Sequence, residues 1–249
     1  MDFSMLAQAT DAATAAIDNA GVFNDLAPPI QIAIFLGALS FMTSMLVSVT
    51  AFTRIIIVLS FVRRALATQE IPPNPVMLGL GMFLTMFVMT PTMESIYNNG
   101  IEPFLAAQEE ATDENPSDFG YVKLWQIVSG ELKEFMLFHT RTADLQLFVD
   151  LSQLDEPQVT TTYEREELPL TIVVPAFVIS ELKTAFIMGF CMYIPFLLID
   201  LVISTILMSL GMMMMPPVVV STPCKLLLFV LVDGWQLITR ALVSSFAGG

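Results

Sequence analysis

The amino-acid sequence predicts an all-α integral membrane protein, and three observations carry that expectation. Of the 249 residues, 55% are hydrophobic and only 14% are charged, whereas a soluble domain carries about a quarter charged residues. The mean hydropathy is +0.72. The apolar residues also collect into about four long runs, and most of the acid falls in two polar blocks between and before them.

The first block is a leader, residues 1–29, with Asp2, Asp11, Asp18 and Asp25 and no base. Met1 to Gly21 lacks the basic start and continuous apolar core of a signal peptide. The first hydrophobic helical pair is expected over 30–97. Ile30 to Ala51 carries no charge, enough as a helix to cross about 30 Å of hydrocarbon. Apolar sequence resumes after Arg54 and ends only at Arg63-Arg64. A helix over Ile30 to Val62 would be roughly 50 Å long, well beyond one bilayer. The segment is therefore broken near Thr53-Arg54, or part of it is buried in protein. Pro72, Pro73 and Pro75 mark a connector. A second run follows from Val76 to about Tyr97, interrupted late by Pro91 and Glu94.

An acidic, amphipathic helical segment is expected over 98–169. It opens as a linker (Glu109 to Asp118). Leu124, Ile127, Val128, Leu132, Phe135 and Met136 then recur at mostly three- and four-residue spacing, as do Leu145, Phe148 and Val149. Asp155 to Glu167 reads as an exposed loop. Residues 170–249 form the second hydrophobic pair. Leu170 to Ile179 contains Pro175 and reads as a half-helix or re-entrant piece. Thr184 to Leu210 is the third run, with Pro195 and Asp200 inside it, and Val218 to Phe246 the fourth. Between them lies the cluster Gly211 to Pro217. The pair Arg63-Arg64 places the first connector in the cytoplasm, which puts the leader and the acidic middle in the periplasm of a two-membrane bacterium.

Several function classes fall away. The basic residues form no face for nucleic acid. Cys191 and Cys224 sit in apolar stretches, so buried thiols are expected rather than a disulfide framework. The chain has one histidine, His139, without the further ligands a metal site needs, and it reads as structural. No glycine-rich phosphate loop and no Gly-x-Ser-x-Gly setting is present. Neither an enzyme nor a cofactor is expected.

Two sets of residues stand out as candidates. Arg54, Glu181, Lys183, Asp200, Lys225 and Asp233 lie in or beside apolar runs, where an unpaired charge costs several kcal/mol. Three acids and three bases balance, which favours inter-helix or inter-subunit salt bridges over a proton or ion relay. The second set is methionine. Met82, Met86, Met89 and Met93 fall on one helical face and read as packing. Met212, Met213, Met214 and Met215, flanked by Gly211 and Pro216-Pro217, are consecutive and belong to a loop or helix break. Flexible thioethers conform to what they meet, so a ring of such loops would make an apolar gasket; the bland alternative is a greasy turn at the membrane surface.

Long stretches resemble the FliP/SctR family of type III secretion export-gate subunits. These are Thr53 to Phe61 followed by Pro72-Pro73-Asn74, Thr140 to Leu145 with Leu147-Phe148, Pro175 to Phe186, Pro195 to Leu201 with the Gly-Met run, and Leu228 to Trp235. Ile187 and Cys224 depart from the family's usual glutamine and phenylalanine. The resemblance implies a subunit present in five copies in a helical oligomer. FliQ-like and FliR-like subunits would join it, with FlhB-like and FlhA-like export components alongside. The assembly would sit in the inner membrane at the flagellar basal body, in contact with lipid, and pass unfolded protein substrates. It also implies that the loop matching Met212 to Met214 seals the closed pore. The long acidic middle and leader favour the flagellar over the injectisome form. A small-solute transporter is the alternative from another class, and no internal repeat of spans supports it.

Overall fold

The computed structural model describes residues 27–67, 72–110, 120–152, 168–211 and 215–247, and among these every regular element is helical. Residues 1–26 of the leader, 111–119 of the acidic linker, the Asp155–Glu167 loop and Met212 to Met214 lie outside the described residues. The helices are α1 Pro28–Val49, α2 Phe52–Ala65, α3 Asn74–Ile96, α4 Glu102–Glu110, α5 Tyr121–His139, α6 Thr142–Ser152, α7 Leu170–Ser209, α8 Pro217–Leu231 and α9 Gly234–Ala247. A π-helical turn, Tyr97–Ile101, joins α3 to α4. The chain is a membrane protein. Three described helical stretches are long and apolar enough to cross a bilayer (Pro29–Val49, Asn74–Gln108 and Leu170–Ser209), and a fourth span results if α8 and α9 act as one.

Backbone proximity separates residues 1–46 from residues 47–249. The described part of the first unit is most of α1. Its 22 residues are without charge and make about 33 Å of helix. Most of its side chains are exposed, Phe41 at 72%, and Thr43 returns its hydroxyl to the Ser40 carbonyl within the helix.

In the second unit the overlong first run resolves in both of the expected ways. The helix breaks, at Thr50-Ala51 rather than Thr53-Arg54, and the piece beyond it is buried. Hydroxyl groups take up the backbone positions freed there. The Thr53 hydroxyl donates to the Val47 carbonyl at 3.3 Å, and the Phe52 N–H donates to Thr50 Oγ1 at 3.4 Å. Beyond the break, α2 buries Arg54, Ile55, Val58, Leu59, Val62 and Ala65, a spacing that forms one continuous helical face. That face packs on α7 and α3. Gly189 of α7 lets Phe61 approach so closely that an added Cβ would lie 2.6 Å from its ring.

The structure corrects the expectation for residues 170–179, which form no separate half-helix. α7 runs unbroken for 40 residues, about 60 Å, through Pro175 and Pro195. Pro175 stands in the second turn, where it forfeits a single backbone bond, while Val173, Ala176 and Phe177 are fully buried around it. Packing outweighs that loss. The N-terminal half of α7 is core, whereas its C-terminal half exposes Leu197, Leu198, Leu201, Val202 and Ile206.

Pro91 likewise does not end its helix, and α3 continues through the π-helical turn into α4. The methionine stripe is corrected too: Met89 is buried, but Met82, Met86 and Met93 are exposed. The buried face of α3 instead begins with Met77, Gly81 and Leu84. Both cysteines are exposed as well, because the apolar stretches that hold them face outward. The fourth run is two helices bent by 65° at Val232-Asp233. Asp233 adopts a left-handed backbone, φ 51°, a conformation aspartate tolerates better than most residues.

The middle segment follows its periodicity. Phe135 and Met136 of α5 and Leu145 of α6 are buried, with Leu132, Phe148 and Val149 packed against them. The two helices turn at Thr140, whose hydroxyl donates to the Met136 carbonyl at 2.6 Å. The Arg141 N–H next to it donates to Ser180 Oγ on α7 at 3.0 Å.

Candidate functional site

The second unit carries three ion pairs among its described residues, and each ties α7 to a different helix. The most enclosed joins α2 to α7. Arg54 falls in the first turn of α2, directly after the helix break, so its side chain enters the space between α2, α7 and α9. Its guanidinium forks onto Glu181: Nε donates to Oε2 at 2.7 Å and Nη2 donates to Oε1. Nη1 donates to the carbonyl oxygen and the hydroxyl of Ser245, at 3.1 and 3.0 Å. The guanidinium carbon lies 3.8 Å from the centre of the Phe246 ring, a cation–π approach. Arg54 is 3% exposed and Glu181 is fully buried. Bidentate geometry of this kind is what allows a charge pair to exist in a low-dielectric interior.

The second pair joins α6 to α7. Lys183 donates to one carboxylate oxygen of Asp144. Asp144 is 2% exposed while the Lys183 side chain is half exposed, and the other oxygen, Asp144 Oδ2, is buried with no hydrogen-bond partner. Arg141 reaches the Thr184 hydroxyl alongside, at 3.1 Å. In the third pair, Lys225 of α8 donates to Asp200 Oδ2 of α7 at 2.5 Å, with the lysine buried and the carboxylate open.

The structure thus brings together Arg54 with Glu181 and Lys225 with Asp200, gives Lys183 a partner outside the candidate set, and leaves Asp233 exposed at the α8–α9 bend. Asp233 forms no ion pair among the described residues; its carbonyl accepts the Gln236 and Leu237 N–H groups that open α9. Asp144 and Ser180 are not conspicuous in sequence, because Asp144 stands in the polar middle and Ser180 carries no charge. Its presence beside Arg141 in Thr140 to Leu145 was the available signal. Met215 is exposed, and Met212, Met213 and Met214 lie outside the described residues.

His139 closes α5 within 5.3 Å of the Phe246 ring. It borders a cleft of about 520 Å³ between α3, α5 and the end of α9, which Glu131 and Glu134 also line. Among the described residues no group of three or more His, Cys, Asp or Glu side chains is arranged to hold a metal ion. What these side chains can do chemically is bind one helix to another. Most of the buried polar groups satisfy each other, and none presents an activated nucleophile to an open cleft.

The profile of the FliP family matches residues 35–242. The chain is 46% identical over 217 residues to the flagellar biosynthetic protein FliP of Bacillus subtilis (strain 168), covering 87% of this chain and 91% of that one. Against the flagellar biosynthetic protein FliP of Caulobacter vibrioides the identity is 44% over 220 residues, 88% of this chain and 77% of the relative. For the protein of the same description from Aquifex aeolicus it is 41% over 222 residues, 89% and 87%.

Proposed function

The chain belongs to the FliP family, and on that premise we propose that it is a core pore-forming subunit of the flagellar type III protein export gate. In this reading it conducts unfolded flagellar axial proteins across the inner membrane, as one of five copies joined by FliQ-like and FliR-like subunits, with FlhB-like and FlhA-like components alongside. The observation that carries the reading is the identity of 46% across 91% of a flagellar biosynthetic protein FliP. It supports the flagellar form over an SctR-type injectisome subunit and over a small-solute transporter.

Physical arguments support a conducting role without catalysis. The buried polar groups are spent on holding helices together. The apolar surface left exposed on α1, α7 and α8 exceeds what scattered surface residues explain, and lipid or neighbouring subunits would cover it. Arg63 and Arg64 close α2 on its connector side, which favours a cytoplasmic connector and a periplasmic acidic segment. Met212 to Met215 stand between α7 and α8, where copies around an axis would meet in an apolar seal.

The test is a strain lacking only this gene. Swimming motility and secreted flagellin are both expected to vanish and to return with the intact gene. Normal swimming and normal flagellin export in that strain would overturn the reading, and loss of effector secretion instead would assign the chain to an injectisome.

A further inference from the structure

The end of α9 is held by side chains that donate to its last carbonyls. A helix leaves its final four carbonyl groups without intrahelical partners, and its dipole favours positive charge there. The Ser245 carbonyl takes Arg54 Nη1. The Phe246 carbonyl faces His139 Nε2 at 3.1 Å, while Nδ1 of the same ring lies 2.8 Å from the Phe135 carbonyl. Both ring nitrogens therefore point at acceptors. A neutral imidazole carries one N–H and one lone pair, so it can serve only one of the two carbonyls and sets its lone pair against the other. The imidazolium donates to both. The rings of Phe135, Phe138 and Phe246 surround it, with centres 4.4, 5.1 and 5.3 Å away, and aromatic rings also favour a cation.

We propose that His139 is a proton-operated latch on the C-terminal helix: the imidazolium ties the Phe246 carbonyl to the end of α5, and on loss of the proton the ring keeps Nδ1–H on the nearer Phe135 carbonyl of its own helix, turns the Nε2 lone pair toward the Phe246 carbonyl and loosens the last turn of α9. The charged groups around it come from several elements. Glu181 of α7 interacts electrostatically with His139 and is paired with Arg54 of α2, whose guanidinium lies over the Phe246 ring. On its own helix Glu131 and Glu134 line the same cleft, with Glu131 accepting from the Asn99 side-chain amide of the π-helical turn at 3.0 Å. Arg141 follows at the turn into α6. From α3 the cleft receives Thr92 and Ser95 and no charge, and α9 offers Phe246. Histidine is the side chain that changes charge between about pH 5 and pH 8, and no other histidine is present in the chain. The consequence is a C-terminal helix whose seating follows the pH of the compartment that α5 faces.

The test uses the full chain in its purified complex, with ring-¹⁵N histidine and amide hydrogen exchange followed from about pH 5.5 to about pH 8.5. One labelled residue gives one pair of ring signals. Both nitrogens are expected to be protonated at the acid end. Protection of the amides over residues 242–247, corrected for intrinsic exchange, is expected to fall by about threefold to tenfold as that proton is lost, the effect of one net hydrogen bond. His139→Gln carries no titrating proton and only one donor nitrogen for the two carbonyls, and is expected to hold the lower protection at every pH. A neutral ring at the acid end with the last turn still protected would overturn the latch. So would wild-type protection that does not change with pH, or a change that persists in His139→Gln; the wild-type measurements decide even if that variant fails to assemble.

Discussion

Arg54 lies within a run of apolar residues and is buried. A lone arginine within a run of apolar residues must find a partner, because an unpaired charge in a low-dielectric setting costs several kcal/mol. The balance of three acids and three bases made pairing available, and two pairs draw both members from that set. The remaining lysine pairs with Asp144, whose polar neighbours make it resemble an exposed aspartate apart from its place beside Arg141. The Arg54–Glu181 pair yields the first prediction. Arg54→Ala leaves Glu181, fully buried, without its two donors and opens the cradle under Ser245 and Phe246. A loss of about 3–5 kcal/mol is expected, read as a lower denaturation midpoint of the detergent-purified protein. Replacing both members together, Arg54→Met with Glu181→Leu, is expected to recover most of that loss, because the cost lies in an orphaned charge. A double variant as unstable as Arg54→Ala would refute that account.

The sequence marks the helices of this chain more clearly than their ends. Apolar runs and their spacing mark which residues form α2, α3, α5 and α7, but proline misleads: Pro91 and Pro175 both sit inside continuous helix, Pro175 among fully buried neighbours and Pro91 on an exposed stretch. The reverse error falls at Val232-Asp233, where a run read as one segment holds a 65° bend. The bend depends on Gly234. A Cβ added there would stand 2.3 Å from the Phe229 ring, and Phe229 is itself buried, packed against Phe196 and Trp235, so neither side can yield cheaply. Gly234→Ala is therefore expected to open the angle between α8 and α9. Spin labels at Leu227 and Leu237, both exposed in the chain, should move apart in the variant relative to the parent. An unchanged distance with unchanged stability would show that the bend is set elsewhere, with Asp233 the next residue to test.

Buried polar groups and exposed apolar faces occur together in this chain, and the combination suits a subunit whose surroundings are lipid and other subunits. That arrangement separates two kinds of loss. Lys225 is buried, and its partner Asp200 is 37% exposed on α7, so Lys225→Ala removes a tie between α7 and α8 on either side of the methionine segment. It is expected to weaken assembly, seen on native gels as loss of the large complex; a full-strength complex would argue against that role. Alanine at Met212, Met213, Met214 and Met215 should act differently. These residues fall between two helices and contribute nothing to the three ion pairs, so the assembled complex is expected to persist. What changes is the seal: alanine removes the long, adaptable thioether chains that would fill an irregular opening and leaves a gap that water and ions can enter. Cells carrying the fourfold variant are therefore expected to admit small ions at a rate well above the parent, measured as dissipation of an imposed ion gradient in vesicles containing equal amounts of complex. Equal permeability at equal assembly would remove the methionines from any gating role and return them to the simpler reading of an apolar turn at the membrane surface.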